Sequence, residues 1–275
     1  MTTNSSHEIR PGQSIELLKE LHILTRGGKM NQDSRRKLKQ VYHLYQFIEP
    51  LIQAVQRDHP NVTMVDHGAG KSYLGFILYD LYFKSQTTDS RIYGIDTRDE
   101  LVSKSQELAT RLGFVGMSFL NLSVAQSITF DALPKKVDIV TALHACNTAT
   151  DDAIAFALNK QATYIVLVPC CQAEVAALLK KNRAATVKEN PFSELWQHPI
   201  HAREFGSQLT NVLRCLQLEA HGYQVRVTEL VGWEHSMKNE LIIATYKDGP
   251  RKHAQQRLAQ LLQSTGLESL QDRFC

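Results

Sequence analysis

The stretch Met64-Val65-Asp66-His67-Gly68-Ala69-Gly70-Lys71-Ser72-Tyr73-Leu74 decides how the rest of the chain is read. The apolar run Val62 to Val65 reads as a strand, two glycines spaced G-x-G follow, and the apolar segment Tyr73 to Phe83 is long enough for a helix. A strand, a glycine turn and a helix N-terminus bring backbone N–H groups and a partial positive charge to one point, a usual way for α/β proteins to hold a nucleotide. A G-x-G at a strand end is common, so the neighbouring segments have to supply the specificity.

Downstream, Arg91 to Asp96 is a second short strand ending in an acid, and the helix Asp99 to Leu112 carries Leu101, Val102, Leu108, Ala109 and Leu112 on one face. Met117 to Leu122, Val137 to Leu143 and Tyr164 to Val168 are the third, fourth and fifth strands. Strands alternating with helical segments predict a parallel sheet with right-handed crossovers. Asn182 to Phe205 breaks the rhythm with two prolines and reads as an insertion; a helix from Glu204 to His221 is stopped by Gly222. Tyr223 to Val227 and Leu241 to Tyr246 follow too closely for a helical crossover, so they pair antiparallel. The expected architecture is α/β, with seven strands, mostly parallel, and an antiparallel pair at the C-terminal end.

Upstream, Ser14 caps a helix over Ile15 to Leu24, and Asp33 or Ser34 caps a long helix with Leu38, Val41, Tyr42, Tyr45, Ile48, Ile52 and Val55 at helical spacing. Between Arg26 and Lys39 six basic residues, among them Arg35, Arg36 and Lys37, stand against one acid, Asp33. Cations at a helix N-terminus oppose its macrodipole. The cluster therefore reads either as a phosphate contact or as solvated surface. The tail from Gly249 is an amphipathic helix with Leu258, Leu261 and Leu262 on its apolar side. Residues 1–57 thus form a helical extension with a basic cluster, 58–248 the α/β domain and 249–275 a terminal helix.

At 275 residues and 43% hydrophobic content the chain can bury a full core. It contains no apolar run of the roughly 18 residues a membrane helix needs. Met1 to Gly12 is polar, so no secretory leader is expected there. Five cysteines without a C-x-x-C pair argue against a disulfide framework or zinc knuckle, and reduced thiols in the cytoplasm are the expectation. No metal site is expected.

The corner excludes two nucleotide classes. A P-loop needs a glycine five positions before Gly70, and Val65 stands there, so Gly70-Lys71-Ser72 is an accidental match. A dinucleotide fingerprint needs a third glycine where the chain has Tyr73. What remains is an acid, Asp66, before Gly68 and Gly70, and a second acid, Asp96, ending the next strand, where a carboxylate can take a vicinal diol. The strand plan and these acids resemble the class I S-adenosylmethionine-dependent methyltransferases.

Three further segments narrow the resemblance: Leu143-His144-Ala145-Cys146-Asn147-Thr148-Ala149-Thr150-Asp151 after the fourth strand, Val168-Pro169-Cys170-Cys171 after the fifth, and Glu234-His235-Ser236-Met237-Lys238-Asn239 between the last two. Together, over about Arg35 to Tyr246, they resemble the family that includes the methyltransferase domain of eukaryotic zinc-finger tRNA 2′-O-methyltransferases and related methyltransferase-like proteins. The chain has Cys146-Asn147 where relatives have Cys-Gly, and it lacks their Cys/His zinc module.

The resemblance implies S-adenosyl-L-methionine as cofactor, with Asp66, Gly68, Gly70 and Asp96 as its holders and RNA as an acceptor class. Asn121 or Ser123 would bond the adenine edge. His144 is the candidate general base and a second cofactor contact, weighed against a histidine satisfied by nearby backbone. Cys146, Cys170 and Cys171 either supply a nucleophile pair or are packing residues. Asp151 caps the following helix. Lys238 and Asn239 are candidate acceptor contacts with Arg35, Arg36 and Lys37, or a polar hairpin loop. The alternatives to an RNA methyltransferase are a methyltransferase of a protein side chain or small molecule, and a non-catalytic cofactor-binding module.

Overall fold

Strands β1 (Thr63–His67), β2 (Arg91–Asp96), β3 (Met117–Asn121), β4 (Ile139–Leu143), β5 (Tyr164–Val168), β6 (Tyr223–Glu229) and β7 (Glu240–Tyr246) form one sheet. Its order is β3-β2-β1-β4-β5-β7-β6. β1 to β5 run parallel, while β7 is antiparallel to both β5 and β6, as the spacing predicts. The computed structural model describes residues 9–143, 145, 147–170, 172–182, 191–230, 240–247, 249 and 251–275. His144, Cys146, Cys171 and residues 231–239, including Lys238 and Asn239, lie outside the described residues, as do 1–8 and 183–190.

β4 and β5 read almost wholly apolar, Ile-Val-Thr-Ala-Leu and Tyr-Ile-Val-Leu-Val, because both faces of a parallel sheet are covered. On one face, helices α1 (Ile15–Glu20), α2 (Gln32–Asp58), α3 (Tyr73–Leu78) and α4 (Asp99–Arg111) share a core with Met64, Ile92, Ile139 and Val166. The N-terminal helices are therefore built into the same core as the sheet. α2 buries Leu38, Val41, Leu44, Tyr45, Ile48, Ile52 and Val55, each contributing about 1.5–3 kcal/mol relative to exposure.

The opposite face carries α6 (Ala149–Asn159) and α8 (Pro199–Ala220), whose Ile154, Phe156 and Leu218 pack on Val65, Val140 and Leu167. α5 (Val124–Thr129) is a short connector between β3 and β4. A third cluster joins α7 (Glu174–Lys181), α8 and the tail helix α9 (Lys252–Thr265) through Val175, Leu179, Leu213, Leu258 and Leu262.

The structure corrects several boundaries. Asn31 caps α2, its Oδ1 accepting from Ser34 N at 2.8 Å, which leaves Asp33 in the first turn. The helix expected over Tyr73 to Phe83 is α-helical to Leu78 and closes in a π turn, Tyr79–Phe83. α8 begins at Pro199, five residues before the expected Glu204; a proline at the first helical position is a start signal the sequence does carry. The described part of the expected insertion adds Trp196 and Ala202 to the core: Trp196 is buried and stacks on Phe205, ring centroids 5.2 Å apart.

Candidate active site

The order of strands reverses between β1 and β4. In a parallel sheet the crevice at the carboxyl ends of such a pair is where ligands sit. β1 ends there in Asp66 and His67, and the chain turns through Gly68 and Gly70, both at positive φ (68° and 58°) where a side chain would be strained. Ala69 N donates to Ile95 O at 3.0 Å and Ser72 N to Ala69 O at 2.7 Å, which ties the turn to the end of β2.

Asp66 is 2% exposed. Its Oδ1 accepts from Thr141 Oγ1 at 2.9 Å and its Oδ2 from Ser72 Oγ at 3.3 Å. Burial pushes its pKa up to about 6 against these two hydrogen bonds. Ser72 is fully buried and left-handed, φ 48°, a conformation costing about 1 kcal/mol or more away from glycine. Its hydroxyl is engaged with the carboxylate, so the apparent Gly-Lys-Ser phosphate motif is spent on holding Asp66. The carboxylate braces the turn from beneath.

Asp96 serves the turn from the other side. Its Oδ2 accepts from Gly70 N at 2.8 Å, its Oδ1 from Arg98 N at 2.9 Å, and the Arg98 guanidinium bridges both oxygens, Nε to Oδ1 and Nη2 to Oδ2, each at 2.9 Å. Burial works to raise its pKa, but these donors win and hold it at about 2. Asn121, at the end of β3, donates its Nδ2 to Asp96 O at 3.2 Å and so fixes the strand end rather than reaching outward. Ser123 forms a capping box with Gln126 at the start of α5. That engages the hydroxyl expected to bond the adenine edge.

His67 was not singled out by the sequence. It is 6% exposed, its ring lies 5.4 Å from Phe156, and neither ring nitrogen has a hydrogen-bond partner among the described residues. Burial pushes its pKa down to about 4, against the nearby Asp96 charge, so the imidazole is neutral near pH 7.

Across the crevice the β4–β5 side is organised by Arg214, whose side chain is fully buried on α8. Its Nε donates to Asp151 Oδ1 at 2.5 Å, its Nη1 to Asn211 Oδ1 at 3.2 Å and its Nη2 to Asn147 O at 2.9 Å. Asp151 therefore does not cap α6, where Thr148 holds the cap position; it anchors α6 and the loop after β4 to α8. Asn211 Nδ2 continues the network to Glu240 Oε2 at 2.6 Å, at the start of β7. Arg273, near the end of the tail, pairs with Glu174. An arginine amid Leu209, Leu213 and Leu216 on an amphipathic helix was the sequence signal for this network.

Beside it opens a cavity of about 380 Å³ whose lining includes Cys170, Gln172, Ser207, Asn211 and the carboxylates Glu204, Glu229 and Glu240. Cys170 is half-buried there. The described lining residues include no lysine or arginine. Arg35, Arg36 and Lys37 lie elsewhere. Ser34 Oγ donates to His22 O at 3.3 Å, and Glu20, two residues earlier, pairs with Arg111 at the far end of α4 from Asp96. The 13 residues of α4 span about 20 Å. The structure thus joins Asp66, Gly68, Gly70 and Asp96 in one corner and leaves the basic cluster away from it.

A nucleoside fits this corner: it offers a strand-end carboxylate, a turn without side chains at Gly68 and Gly70, and a buried imidazole whose nitrogens lack partners among the described residues. Among the described residues no group of three or more His, Cys, Asp or Glu side chains gathers to hold a metal, and no helix is long and apolar enough to cross a membrane.

Comparison with known proteins agrees with the geometry. Residues 36–178 match the model of a methyltransferase domain family. The glutathione S-transferase C-terminal domain-containing protein of Xenopus laevis is 22% identical over 236 residues, 79% of this chain and 36% of the relative; its Mus musculus counterpart is 23% identical over 78% of this chain and 34% of its own length. The chain thus spans about a third of the length of these curated relatives. A putative caffeoyl-CoA O-methyltransferase structure from Staphylococcus aureus superposes with a TM-score of 0.50 at 9% identity, covering 88% of this chain and 95% of that one, which speaks to the fold alone. Magnesium protoporphyrin IX methyltransferase from Synechocystis PCC 6803, solved with bound S-adenosylhomocysteine, gives 0.44 at 16% identity over 86% and 95%. With more than half of its residues matched by the family model, the chain belongs to the methyltransferase domain family, and S-adenosylmethionine is its cofactor.

Proposed function

We propose that this methyltransferase modifies a polar, donor-bearing acceptor, a protein side chain or a small molecule, seated beyond the end of β5. The observation that carries this reading is the cavity beside Cys170, Gln172 and Asn211, where Glu204, Glu229 and Glu240 favour an amine or hydroxyl and disfavour a phosphate backbone. S-adenosylmethionine supplies an electrophilic methyl on a sulfonium. Everything else falls to the chain's own residues.

In this reading Asp96 takes the ribose diol, held ionised by its fixed donors, and the Gly68–Gly70 turn seats the methionine part. Asp66 keeps the turn rigid through Ser72 and Thr141. Arg214 holds the loop after β4 at the Asn147 carbonyl, so an acceptor beside it stays in line with the methyl; positioning of this kind can supply much of the acceleration. His144, in that loop, is the proposed base for an acceptor proton. Cys146 and Cys170 are assigned no covalent role, because methylation of nitrogen or oxygen needs no enzyme nucleophile.

A second reading, an RNA acceptor, is favoured by the basic residues between Arg26 and Lys39 and by the resemblance to tRNA 2′-O-methyltransferases. It requires an RNA that spans from the remote end of α4 to the crevice. Labelled methyl incorporation into RNA, protein and metabolite fractions of a cell extract separates the two. Label in protein or metabolites is the expected result, and label in RNA overturns it. In that case RNA affinity should fall steeply with salt, and less steeply once Arg35, Arg36 and Lys37 are changed to alanine.

A further inference from the structure

We propose that Arg98 occupies the edge of Asp96 that the ribose diol takes, so that displacement of its guanidinium sets the affinity for the methyl donor. The inference rests on the reading of Asp96 as the ribose ligand. An ionised carboxylate has about four acceptor positions. Here all four are filled: Gly70 N and Arg98 N take one on each oxygen, and the Arg98 fork takes the other two. A fork of two parallel N–H donors and a vicinal diol with two O–H donors address the same bidentate edge. Both cannot hold it together.

The four donors differ in kind. Gly70 N and Arg98 N belong to the backbone of the turn and the start of α4, so they stay and keep the carboxylate oriented. The Arg98 side chain is 62% exposed and can leave by rotating into water. It also reaches over the turn: a Cβ built on Gly70 would lie 3.3 Å from Arg98 Nη2. The guanidinium therefore covers both the diol edge and part of the surface on which the methionine part rests. One side chain closes the corner in two places.

A competing internal partner raises the apparent dissociation constant by the inverse of the fraction of time it is away. An exposed bidentate pair is held only modestly, so the expected factor is about fivefold to tenfold. Arg98→Lys keeps the charge and loses the planar fork, which places it between the wild type and Arg98→Ala.

The test is calorimetric titration with S-adenosylhomocysteine of the full chain, wild type, R98A and R98K, with circular dichroism confirming the fold. The expected result is binding about five to ten times tighter in R98A, with R98K intermediate. Adenosine titrated directly should also bind more tightly to R98A than to the wild type, while 2′,3′-dideoxyadenosine should bind the two alike. Equal or weaker binding of S-adenosylhomocysteine to R98A overturns the proposal, because Arg98 would then be a bystander or a contact to the bound donor. A gain of the same size for the dideoxy compound also overturns it. If folded wild type and folded R98A both fail to bind S-adenosylhomocysteine, the ribose reading of Asp96 fails as well, a result distinct from either of those.

Discussion

The two banks of the crevice are built from different kinds of sequence information. The donor corner is local: Asp66, Gly68, Gly70, Ser72, Asp96 and Arg98 come from one strand–turn–helix–strand passage and bond chiefly to one another. The acceptor bank is assembled from distant segments, with Arg214 reaching Asp151 and Asn147 across 63 and 67 positions, and Arg273 meeting Glu174 across 99. A local corner can keep its chemistry while the far bank varies. That is consistent with a chain whose cofactor is plain and whose acceptor has to be argued.

Substitutions in the two banks should therefore fail differently. Asp96→Ala removes the diol acceptor and the anchor of Gly70 N, and should reduce S-adenosylhomocysteine affinity by at least about 100-fold in calorimetry while the fold persists. Arg214→Met leaves the buried Asp151 with only the Arg273 guanidinium, 4.0 Å away and shared with Glu174, and should cost about 3 kcal/mol in denaturant unfolding. If the banks are as separate as the hydrogen bonds indicate, folded R214M still binds S-adenosylhomocysteine. Loss of that binding would show that the far bank shapes the donor corner.

Asp66 and His67, adjacent in sequence, carry opposite pH signatures. Asp66 titrates near 6 in the fold against an ordinary 3.8, so its cost to stability is absent below about pH 4 and complete above about 6. His67 titrates near 4 against an ordinary 6.5, so stability is lost as pH falls from about 6.5 to 4. Each amounts to about 3 kcal/mol, and they nearly cancel between pH 4 and 6. Asp66→Asn should stabilise the protein by about 2 kcal/mol at pH 7 and expose a slope in which stability rises with pH. His67→Phe should expose the opposite slope. Urea titrations at pH 4.5, 5.5 and 7 read both signs, and parallel slopes in the two variants would contradict the assignment.

The smallest effect belongs to Ser72. Alanine keeps the left-handed strain and loses the hydrogen bond to Asp66, for a cost of about 1–2 kcal/mol. Glycine relieves the strain and should be more stable than alanine by about 1 kcal/mol, measured as the midpoint of thermal unfolding. Alanine equal to glycine would mean that the turn is held by its neighbours alone.

The same division explains what was legible beforehand. The seven strands could be read because apolar runs and turn residues are local signals, and the gathering of Asp66, Gly68, Gly70 and Asp96 in one corner because all four stand at or just past strand ends. Ser14 was legible as a cap for the same reason, its hydroxyl accepting from Leu17 N at 3.2 Å. Arg98 was passed over because its partner on Asp96 depends on how the turn folds back. Arg214 and its pairing with Asp151 were not legible because no periodicity links residues on separate helices. Asp33 lost the cap of α2 to Asn31, a shift of two residues that composition alone does not resolve. The basic cluster was legible as charge, but its distance from the crevice was not.

The central claim is that the methyl donor lies on the β1–β2 corner, and hydrogen–deuterium exchange with and without S-adenosylhomocysteine tests it most directly. The account predicts slowed exchange at the amides of residues 68–72 and 97–99 and no change over residues 26–39. Protection confined to residues 204–211 on α8, with the glycine turn exchanging as before, would contradict it.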